Sequence, residues 1–479
     1  MTESPSENIK CLVRCRPLND KEKGLGVKCI TIGSDSKTIL VENKTEQQKS
    51  EMRQLQYTMD KVFDEDITQV ELFQEVGMPI LNSFLSGYNC TIFCYGQTGA
   101  GKTHTMMGPL EALYETNAES HGLIPRILDF IFNEHEKVNN IITNNTTDKC
   151  SKIKVEVKTC CMEIYQENII DLLANVQNEK ENNKENNKGQ QQIQNLKVKE
   201  DAKRGMYIDG ITEAAVSNAK EAKDIILKGL KSRHVAATAM NAESSRSHLI
   251  FTIYLSASYL RNEGGSVSKT SRLHLIDLAG SERQKATKAE GNRIKEAGMI
   301  NKSLSSLGNV INALVENCDG KNKYVPFRDS KLTHFLKDSL GGNSKTTICA
   351  NISLSIIQIN ETISTLKFVQ RAKMIKNKAT VNVNVQENIQ CLQDEIKKLK
   401  NILASHGLTS LIASNGGKIK DEKGNLVDAP VVPVQIAPDG NFLCPICHNE
   451  PYEISEASMI LKLKEDICFT TLSSAYCEA

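Results

Sequence analysis

Short apolar runs alternate with amphipathic stretches along most of the chain. Runs rich in β-branched and other apolar residues predict strands at residues 9–15, 90–95, 152–165, 249–255 and 272–278. Apolar residues at helical spacing predict helices at residues 70–85, 219–233 and 300–315. Because strands that alternate with helices favour a sheet covered by helices, we predict an α/β fold with a central, mostly mixed or parallel β-sheet flanked by helices on both faces.

Beyond Asn384 the pattern changes to a short amphipathic seam. Alternating spacings of four and three separate Val385, Ile389, Leu392, Ile396, Leu399 and Leu403. This spacing predicts an amphipathic helix or short coiled coil over residues 385–406. Because about three to four heptads are needed for stable pairing, a homodimer through residues 385–403 and a single helix docked on its own domain both stay open.

Three further segments have compositions typical of linkers, tails or disorder. Twelve of the 21 residues from 175 to 195 are Asn or Gln, which predicts a disordered surface insertion. The polar residues 1–8 predict a disordered N-terminus. Gly, Pro and Asp predict a linker at residues 407–441, before a small cysteine-containing tail at 442–479.

The composition narrows the class of protein. The 479 residues include 59 Lys and Arg against 58 Asp and Glu, a net charge of +1, which argues against a general polyanion binder. No apolar run approaches the ~18 residues that span a bilayer, and the N-terminus does not resemble a secretory signal. The 15 cysteines are scattered, so we expect reduced thiols in a cytoplasmic protein.

The strongest chemical signal directly follows the predicted strand at 90–95. Residues 96–103 read GQTGAGKT, a match to the phosphate-binding motif G-x4-G-K-[ST]. In this motif glycines let backbone N–H groups surround phosphates, Lys102 reaches the β and γ oxygens, and Thr103 offers its hydroxyl to Mg²⁺. The sequence therefore predicts a nucleotide site with Mg²⁺.

Two later segments have the residues of a nucleotide-sensing switch. Residues 241–248 (NAESSRSH) place small hydroxyls, Arg and His ahead of a strand, and residues 277–282 (DLAGSE) follow a strand. Asp277 is then placed near the metal, and Gly280 can bring a backbone N–H close to the terminal phosphate. Such groups respond to the γ-phosphate in nucleotide switches.

These motifs, in this order, resemble the kinesin motor domain. Matching segments also occur at residues 14–17 (RCRP), 324–333 (YVPFRDSKLT), 338–346, 361–373 and 375–382. The resemblance covers residues 9–384 and implies a P-loop NTPase fold, with a motor domain at 9–372 and a neck linker at 373–384. It implies a microtubule-stimulated ATPase that produces force or plus-end-directed movement. A nucleotide-switched microtubule-binding protein without motility stays open, because the chain has no long stalk.

The resemblance also assigns roles at the nucleotide. Arg14, Arg16 and Pro17 would border the adenine and ribose, with His104 on the other face of the base. Arg14 has an alternative, a solvated charge at a strand edge. The phosphates would be held by Gly96, Gln97, Thr98, Gly99, Ala100, Gly101, Lys102 and Thr103.

For hydrolysis the resemblance implies a closing switch. The residues concerned are Ser244, Ser245, Arg246, Gly280 and Glu282. Arg246 would pair with Glu282 and close the site around the attacking water; a plain surface ion pair is the alternative. Thr103, Ser244 and Asp277 would hold Mg²⁺, partly through water.

Two basic segments flank the predicted helix at 300–315. Residues 283–295 and 321–337 each contain five basic residues and one acidic residue, a net charge of +4. The resemblance implies that they face the acidic microtubule surface. The candidate contacts are Lys285, Lys288, Arg293, Lys295, Lys321, Lys323, Arg328 and Lys331. We expect no nucleic acid partner and no membrane insertion, and a location on cytoplasmic microtubules; the cargo stays open.

The remaining features are local. Kinesins usually have proline where Leu354 stands, so we expect a perturbed turn there. In the tail, Cys444 and Cys447 have C-x2-C spacing, and with Cys468 and Cys477 they would suit Zn²⁺; incidental reduced thiols are the alternative. Cys160 and Cys161 lie in a predicted strand, which favours core packing.

Overall fold

The computed structural model describes residues 6–24, 28–43, 53–114, 119–144, 154–174, 196–201, 204–240, 244–260, 266–282, 292–318, 320–386, 418–420 and 426–428. The chain divides into two compact units, residues 1–388 and 389–479. In the second unit, strands Lys418–Lys420 and Leu426–Asp428 pair antiparallel. The insertion at 175–195 and the tail cysteines lie outside the described residues.

The first unit is organised around strands of very different length. They are β1 (Glu7–Asn8), β2 (Lys10–Arg16), β3 (Ile30–Ile32), β4 (Thr38–Asn43), β5 (Arg53–Thr58), β6 (Lys61–Phe63), β7 (Cys90–Tyr95), β8 (Lys154–Tyr165), β9 (Asn168–Asp171), β10 (Lys197–Asp201), β11 (Gly205–Asp209), β12 (Ala214–Val216), β13 (His248–Leu260), β14 (Ser266–Asp277), β15 (Lys345–Ser353), β16 (Lys376–Asn377) and β17 (Val383–Gln386).

The central sheet has the strand order β12-β8-β13-β14-β7-β15-β2-β6. Its β14, β7, β15, β2 and β6 strands pair parallel, whereas β12, β8, β13 and β14 pair antiparallel. All six residues of β7 are buried, as expected for a strand covered on both faces. The predicted mixed sheet is therefore confirmed.

Helices cover both faces of this sheet. They are α1 (Asp20–Lys23), α2 (Gln69–Leu72), α3 (Met78–Leu85), α4 (Lys102–Met106), α5 (Leu123–Asn144), α6 (Ala219–Met240), α7 (Asn292–Cys318), α8 (Lys331–Phe335) and α9 (Ile359–Ala372). One buried apolar cluster joins a sheet face to α7, α8 and α9, and a second joins the other face to α2 through α6.

The predicted helix at 70–85 is present but is not uniform. A π-helical turn, Phe73–Gly77, joins α2 to α3. Pro79, near the start of α3, has no N–H to donate to the carbonyl oxygen four residues earlier, in the π-helical turn, which disfavours continuous α-helical bonding there. Thr68 caps the start of the segment through a capping box with Glu71.

Two predicted boundaries are wrong at the ends of the first unit. Glu7 and Asn8 are not disordered, because they pair antiparallel with Asn377 and Lys376. Val385 does not begin a helix, because β17 pairs antiparallel with Ser266–Lys269 of β14. In both cases a distant strand edge supplies backbone partners that local sequence patterns do not reveal.

Leu354 is accommodated by the core. Its side chain is buried, and its carbonyl oxygen accepts a hydrogen bond from the Cys29 N–H at 3.0 Å. The next residues form a 3-10 turn, Ile356–Gln358, which the Ser355 hydroxyl caps. Leu354 belongs to the same buried apolar cluster as several residues of the small β3-β4-β5 sheet, so the core accommodates leucine at this position.

The nine cysteines that the structure describes are all free thiols, and all but Cys318 are buried. Cys160 and Cys161 follow each other in β8 and are both buried in the core, as predicted. No helix within the described ranges is long and apolar enough to cross a membrane.

Candidate functional site

The phosphate-loop motif connects the end of β7 to the start of α4. Gly96, at the end of the strand, has φ 149°, and a Cβ atom there would overlap the carbonyl oxygen of Asn351 in β15. Gly101 has φ 95° at the N-cap of α4. Both positions require glycine, one for close approach to the sheet and one for left-handed backbone.

Lys102 lies beneath this loop with its side chain buried. Its Nζ donates to the Gln97 carbonyl oxygen at 2.9 Å. Burial lowers the pKa of Lys102, while the nearby carboxylates of Asp277 and Glu282 act in the opposite direction. The loop thus holds a cation close to backbone that the sequence assigns to phosphate binding.

Asp277, at the end of β14, meets the same loop from the neighbouring strand. The Thr103 hydroxyl donates to Asp277 Oδ2 at 2.5 Å. Burial raises the pKa of Asp277, with the Thr103 hydrogen bond and Lys102 opposing the shift. Among the described residues its other oxygen, Oδ1, is buried and has no hydrogen-bond partner.

The Thr103 hydroxyl and the Asp277 carboxylate suit Mg²⁺. The ion prefers oxygen ligands and keeps several of its waters, so a hydroxyl beside a carboxylate with one unused oxygen suits it. Thr103 and Asp277 would hold the ion, directly or through water. The backbone of Ser244 lies in a 3-10 turn, Ser244–Arg246, and its side chain lies outside the described part.

The two switch segments are hydrogen-bonded to each other and to the phosphate loop. The Gly280 N–H donates to the Ser245 carbonyl oxygen at 2.9 Å, and the Ser281 N–H donates to the Gly96 carbonyl oxygen at 3.1 Å. A Cβ atom at Gly280 would overlap the side chains of Thr98 and Glu282. The structure therefore brings together three motifs that are far apart in sequence.

Glu282 contacts Thr98 where the sequence predicts a pair with Arg246. Its Oε2 accepts the Thr98 N–H at 2.8 Å, and its Oε1 accepts the Thr98 hydroxyl at 2.5 Å. A phosphate-loop N–H is a donor suited to anions, and in this conformation the carboxylate occupies it. Closure onto Arg246 would require Glu282 to leave Thr98.

The predicted adenine residues occupy two different environments. Arg14 is buried, and its Nη1 donates to Gln69 Oε1 and Thr105 Oγ1, both at 2.9 Å. The alternative of a solvated strand-edge charge is therefore wrong, because Arg14 supports α4 from beneath. Arg16 instead forms a two-point pair with Glu22, at 2.6 and 2.7 Å, and also donates to the Pro17 carbonyl oxygen.

His104 joins the Arg14 network from the surface side. Its Nδ1 lies 3.2 Å from Gln69 Nε2, and its carbonyl oxygen accepts from the same amide at 2.7 Å. Burial is the main cause that lowers the pKa of His104, and the Arg14 charge adds to it. Contact of Arg14, Arg16, Pro17 and His104 with a base stays a prediction.

The residues that support the loop were not predicted from the sequence. Asn351, buried in β15, donates through Nδ2 to Thr105 Oγ1 at 2.8 Å. Arg233 and Ser247 both bond the buried Glu163 of β8, which fixes the strand that follows the switch turn. Isolated polar residues within otherwise apolar strands, such as Glu163 and Asn351, are the signal that identifies them.

Helix α7 presents a polar stripe between the basic segments. Lys302, Ser305 and Asn309 are exposed, whereas Ser303, Leu307 and Val310 are among the residues that face the core. The predicted helix at 300–315 is therefore confirmed as an amphipathic element. Lys302 was not among the predicted contacts, because it lies outside the two segments with a net charge of +4.

The structure describes the side chains of only some of the predicted microtubule contacts. Lys285 and Lys288 lie outside the described residues, and only the backbone of Arg293 and Lys295 is described, in α7. Lys321, Lys323 and Arg328 are exposed, and Lys323 also pairs with Glu316 at 3.1 Å. Lys331 begins α8, and its N–H donates to Glu167.

The β10–β11 hairpin lies beside this surface and was not predicted. Arg272 and the Met206 N–H both bond Asp338, and Lys337 pairs with Glu200 at 2.6 Å. These bonds hold the hairpin against the end of α8. Arg204, near the hairpin turn, has an exposed side chain that pairs with Glu213 at 3.4 Å.

The segment after α9 is bonded along the core. Asn382 donates through Nδ2 to the carbonyl oxygens of Gly87 and Thr270 and to Asn89 Oδ1, at 3.0–3.2 Å. The buried Asn377 side chain accepts the Gly341 N–H at 2.7 Å. The predicted neck linker is therefore held against the core at both of these positions.

The family model and the curated relatives that match this chain agree with each other. A model of the kinesin motor domain family matches residues 14–375. The chain is 42% identical over 397 residues to the kinesin-like protein KIN-12E of Oryza sativa subsp. japonica, covering 83% of this chain and 19% of that protein. It is also 42% identical over 406 residues to the kinesin-like protein KIF15 of Strongylocentrotus purpuratus, covering 84% and 26%.

A solved structure described as a fast kinesin shares 41% sequence identity with the chain, with a TM-score of 0.64. The match covers 79% of this chain and 94% of that one. By contrast, the chain spans about a fifth to a quarter of the length of the two curated relatives.

Proposed function

The chain belongs to the kinesin motor domain family, and on this premise we propose that it is a microtubule-stimulated ATPase that converts ATP hydrolysis into force or plus-end-directed movement. The partner is the microtubule, and the working location is the cytoplasmic microtubule network. The proposed direction rests on the position of the neck linker after the motor core, as in the resemblance.

The observation that carries the proposal is the hydrogen-bonded junction of three motifs. The Gly280 N–H bonds Ser245, the Ser281 N–H bonds Gly96, and Thr103 bonds Asp277. A change at the terminal phosphate would therefore act on both switch segments at once. This is the arrangement that a nucleotide-driven motor needs.

We assign the chemistry to positioning and charge stabilisation. Lys102 would neutralise the β and γ phosphate oxygens, and Thr103 and Asp277 would hold Mg²⁺, which supplies charge neutralisation when bound. Gly280 and Ser245 would orient the terminal phosphate, and Glu282 would exchange Thr98 for Arg246 as the site closes. No strong base is required, because phosphoryl transfer depends mainly on alignment.

We retain two further proposals for the remainder of the chain. A homodimer would pair through the part of residues 385–403 that follows β17, which lies outside the described part of the chain. The tail would bind Zn²⁺ through Cys444, Cys447, Cys468 and Cys477, which also lie outside that part. Neither proposal affects the ATPase site.

A gliding assay tests the proposal. With the unmodified protein fixed to a surface, we expect microtubules to move when ATP is present. On a surface of Lys102→Ala we expect no movement, because this variant lacks the cation that neutralises the phosphates. Bulk ATP hydrolysis should rise on addition of microtubules in the unmodified protein alone. Microtubule-stimulated hydrolysis without gliding would favour the non-motile alternative, and undiminished hydrolysis by Lys102→Ala would contradict the assignment of the loop.

A further inference from the structure

His248 is a buried residue of the switch motif that the hydrolysis scheme does not use. It is the first residue of β13, and only Ser247 separates it from the 3-10 turn that contains Ser245. Its ring lies between two elements. Nδ1 is 3.0 Å from the Ala279 backbone nitrogen, and Nε2 is 2.8 Å from the Ser303 hydroxyl oxygen.

The hydrogen bonds fix the ring's proton. The Ala279 N–H can only donate, so Nδ1 accepts and carries no hydrogen. A neutral ring then carries its hydrogen on Nε2 and donates it to Ser303 Oγ. Burial lowers the pKa of His248 to about 3, with the charges of Arg233 and Lys102 adding to the shift, so the ring keeps this form near neutral pH.

One hydrogen-bond partner of His248 lies beside the nucleotide site, and the other lies on helix α7. Ala279 directly precedes Gly280, whose N–H bonds Ser245 in the nucleotide site. Ser303 is buried on the inner side of α7, one residue after the exposed Lys302. Because α7 lies between the two basic segments that we assign to the microtubule, we take it as the docking helix. One imidazole therefore connects the phosphate-sensing loop to the docking helix.

We propose that His248 is a positioning residue that couples the position of the Ala279–Gly280 backbone to the position of helix α7. The inference rests on the proposed function and deepens it. When the loop moves with the terminal phosphate, the ring moves Ser303 with it, and the exposed side of α7 changes its fit to the filament. A ring with purely structural duties would stabilise the fold without changing this coupling.

Substitutions on both sides of the link separate these roles. Ser303→Ala removes the acceptor on α7 and leaves the ring in place. His248→Asn keeps an acceptor for the Ala279 N–H and shortens the side chain away from Ser303. Ser303→Thr keeps the hydroxyl and should preserve the coupling. Ser306→Ala is the matched control, because Ser306 is also buried and lies one turn further along α7.

The experiment measures microtubule affinity by co-sedimentation, once with a non-hydrolysable ATP analogue and once with ADP. The ratio of the two affinities reports coupling. In Ser303→Ala and His248→Asn we expect the ratio to fall about fivefold, the equivalent of one neutral hydrogen bond. Ser303→Thr and Ser306→Ala should keep the ratio of the unmodified protein, and Ser303→Ala should keep its ATP hydrolysis without microtubules.

Each outcome has one meaning. An unmodified protein with no nucleotide-dependent affinity would overturn the proposed function itself. If the unmodified protein shows the ratio and folded Ser303→Ala retains it, the coupling role of His248 is overturned. An equal loss in Ser306→Ala would also overturn it, since the effect would then come from packing of α7. If His248→Asn does not fold, the Ser303 variants decide the question.

Discussion

Lys102 and Asp277 show how single residues prepare this site for a charged ligand. Burial lowers the pKa of the lysine and raises the pKa of the aspartate, so each group bears a cost for its charge. An anionic phosphate next to Lys102 and a cation next to Asp277 would offset both costs together. Affinity for Mg²⁺-nucleotide is thus built from two groups that are each unfavourable alone.

Acid sensitivity is expected from another buried residue, His274. Its Nδ1 lies 2.9 Å from the Thr252 hydroxyl oxygen, its ring contacts Phe335, and burial holds its pKa well below the ordinary value. Below about pH 6.5 the unfolded chain therefore binds a proton at this histidine that the folded chain does not bind. As the pH is lowered further, the free energy of unfolding falls by about 1.4 kcal/mol per pH unit.

Replacing the ring tests this. In His274→Asn the fall between about pH 6 and pH 5 should be smaller by one proton. Urea unfolding followed by circular dichroism measures it, as the chain has no Trp. Thr252→Val is the control, because it removes the hydrogen-bond partner but keeps the titrating ring. Equal slopes in His274→Asn and the unmodified protein would contradict the prediction.

At the scale of elements, a strand or a contact could be predicted only where the pattern of neighbouring residues indicates it. Strand β7 was predicted with its observed bounds, because six consecutive residues rich in β-branched and aromatic side chains precede the loop motif. The C-terminal end of β13 and the N-terminal half of β14 were not predicted. These parts contain many polar residues, and they are strands because they pair with each other. The buried network of Arg14 and Asn351 was also missed, because their bonds to Thr105 span 91 and 246 residues.

The basic segment at residues 283–295, which extends into α7, gives a prediction at the scale of elements. Replacing Lys285, Lys288 and Lys295 with alanine should weaken microtubule affinity about three- to tenfold and reduce its dependence on salt, because exposed charge pairs contribute little each and are screened. Co-sedimentation at two salt concentrations measures both effects.

A matched triple on another element controls for total charge. Lys220, Lys228 and Lys231 are exposed on α6, and their replacement removes the same charge. We expect this variant to bind as the unmodified protein does. Equal losses in the two variants would show a general charge effect, and no loss in the first would remove the basic-face argument.

At the scale of the whole molecule, strand pairing closes the first unit. Strand β1 pairs with β16, and β17 pairs with the first four residues of β14, so the end of the predicted neck linker is bonded to the central sheet. Neither pairing could be predicted, because the short strands carry almost no pattern of their own. The resemblance supplied the position of the linker, and long-range backbone bonds supply its path.

The boundary after residue 388 yields a prediction for the truncated chain. Residues 1–388 include every strand of the central sheet and β17, so this fragment should be a monomer that hydrolyses ATP with microtubule stimulation. Mass in solution and hydrolysis rate, compared with the whole chain, measure both properties. A fragment that still dimerises would exclude residues 389–403 as the sole pairing segment, and an inactive fragment would contradict the boundary.

The distribution of thiols also determines where a reporter group can be attached. Among the described cysteines only Cys318 is exposed, and it is the last residue of α7. Burial holds the pKa of most of the others far above the range in which thiols react, as for Cys15 and Cys161. Within the described part of the chain, a maleimide dye should therefore label the end of this helix first, where its fluorescence would follow the helix on the filament.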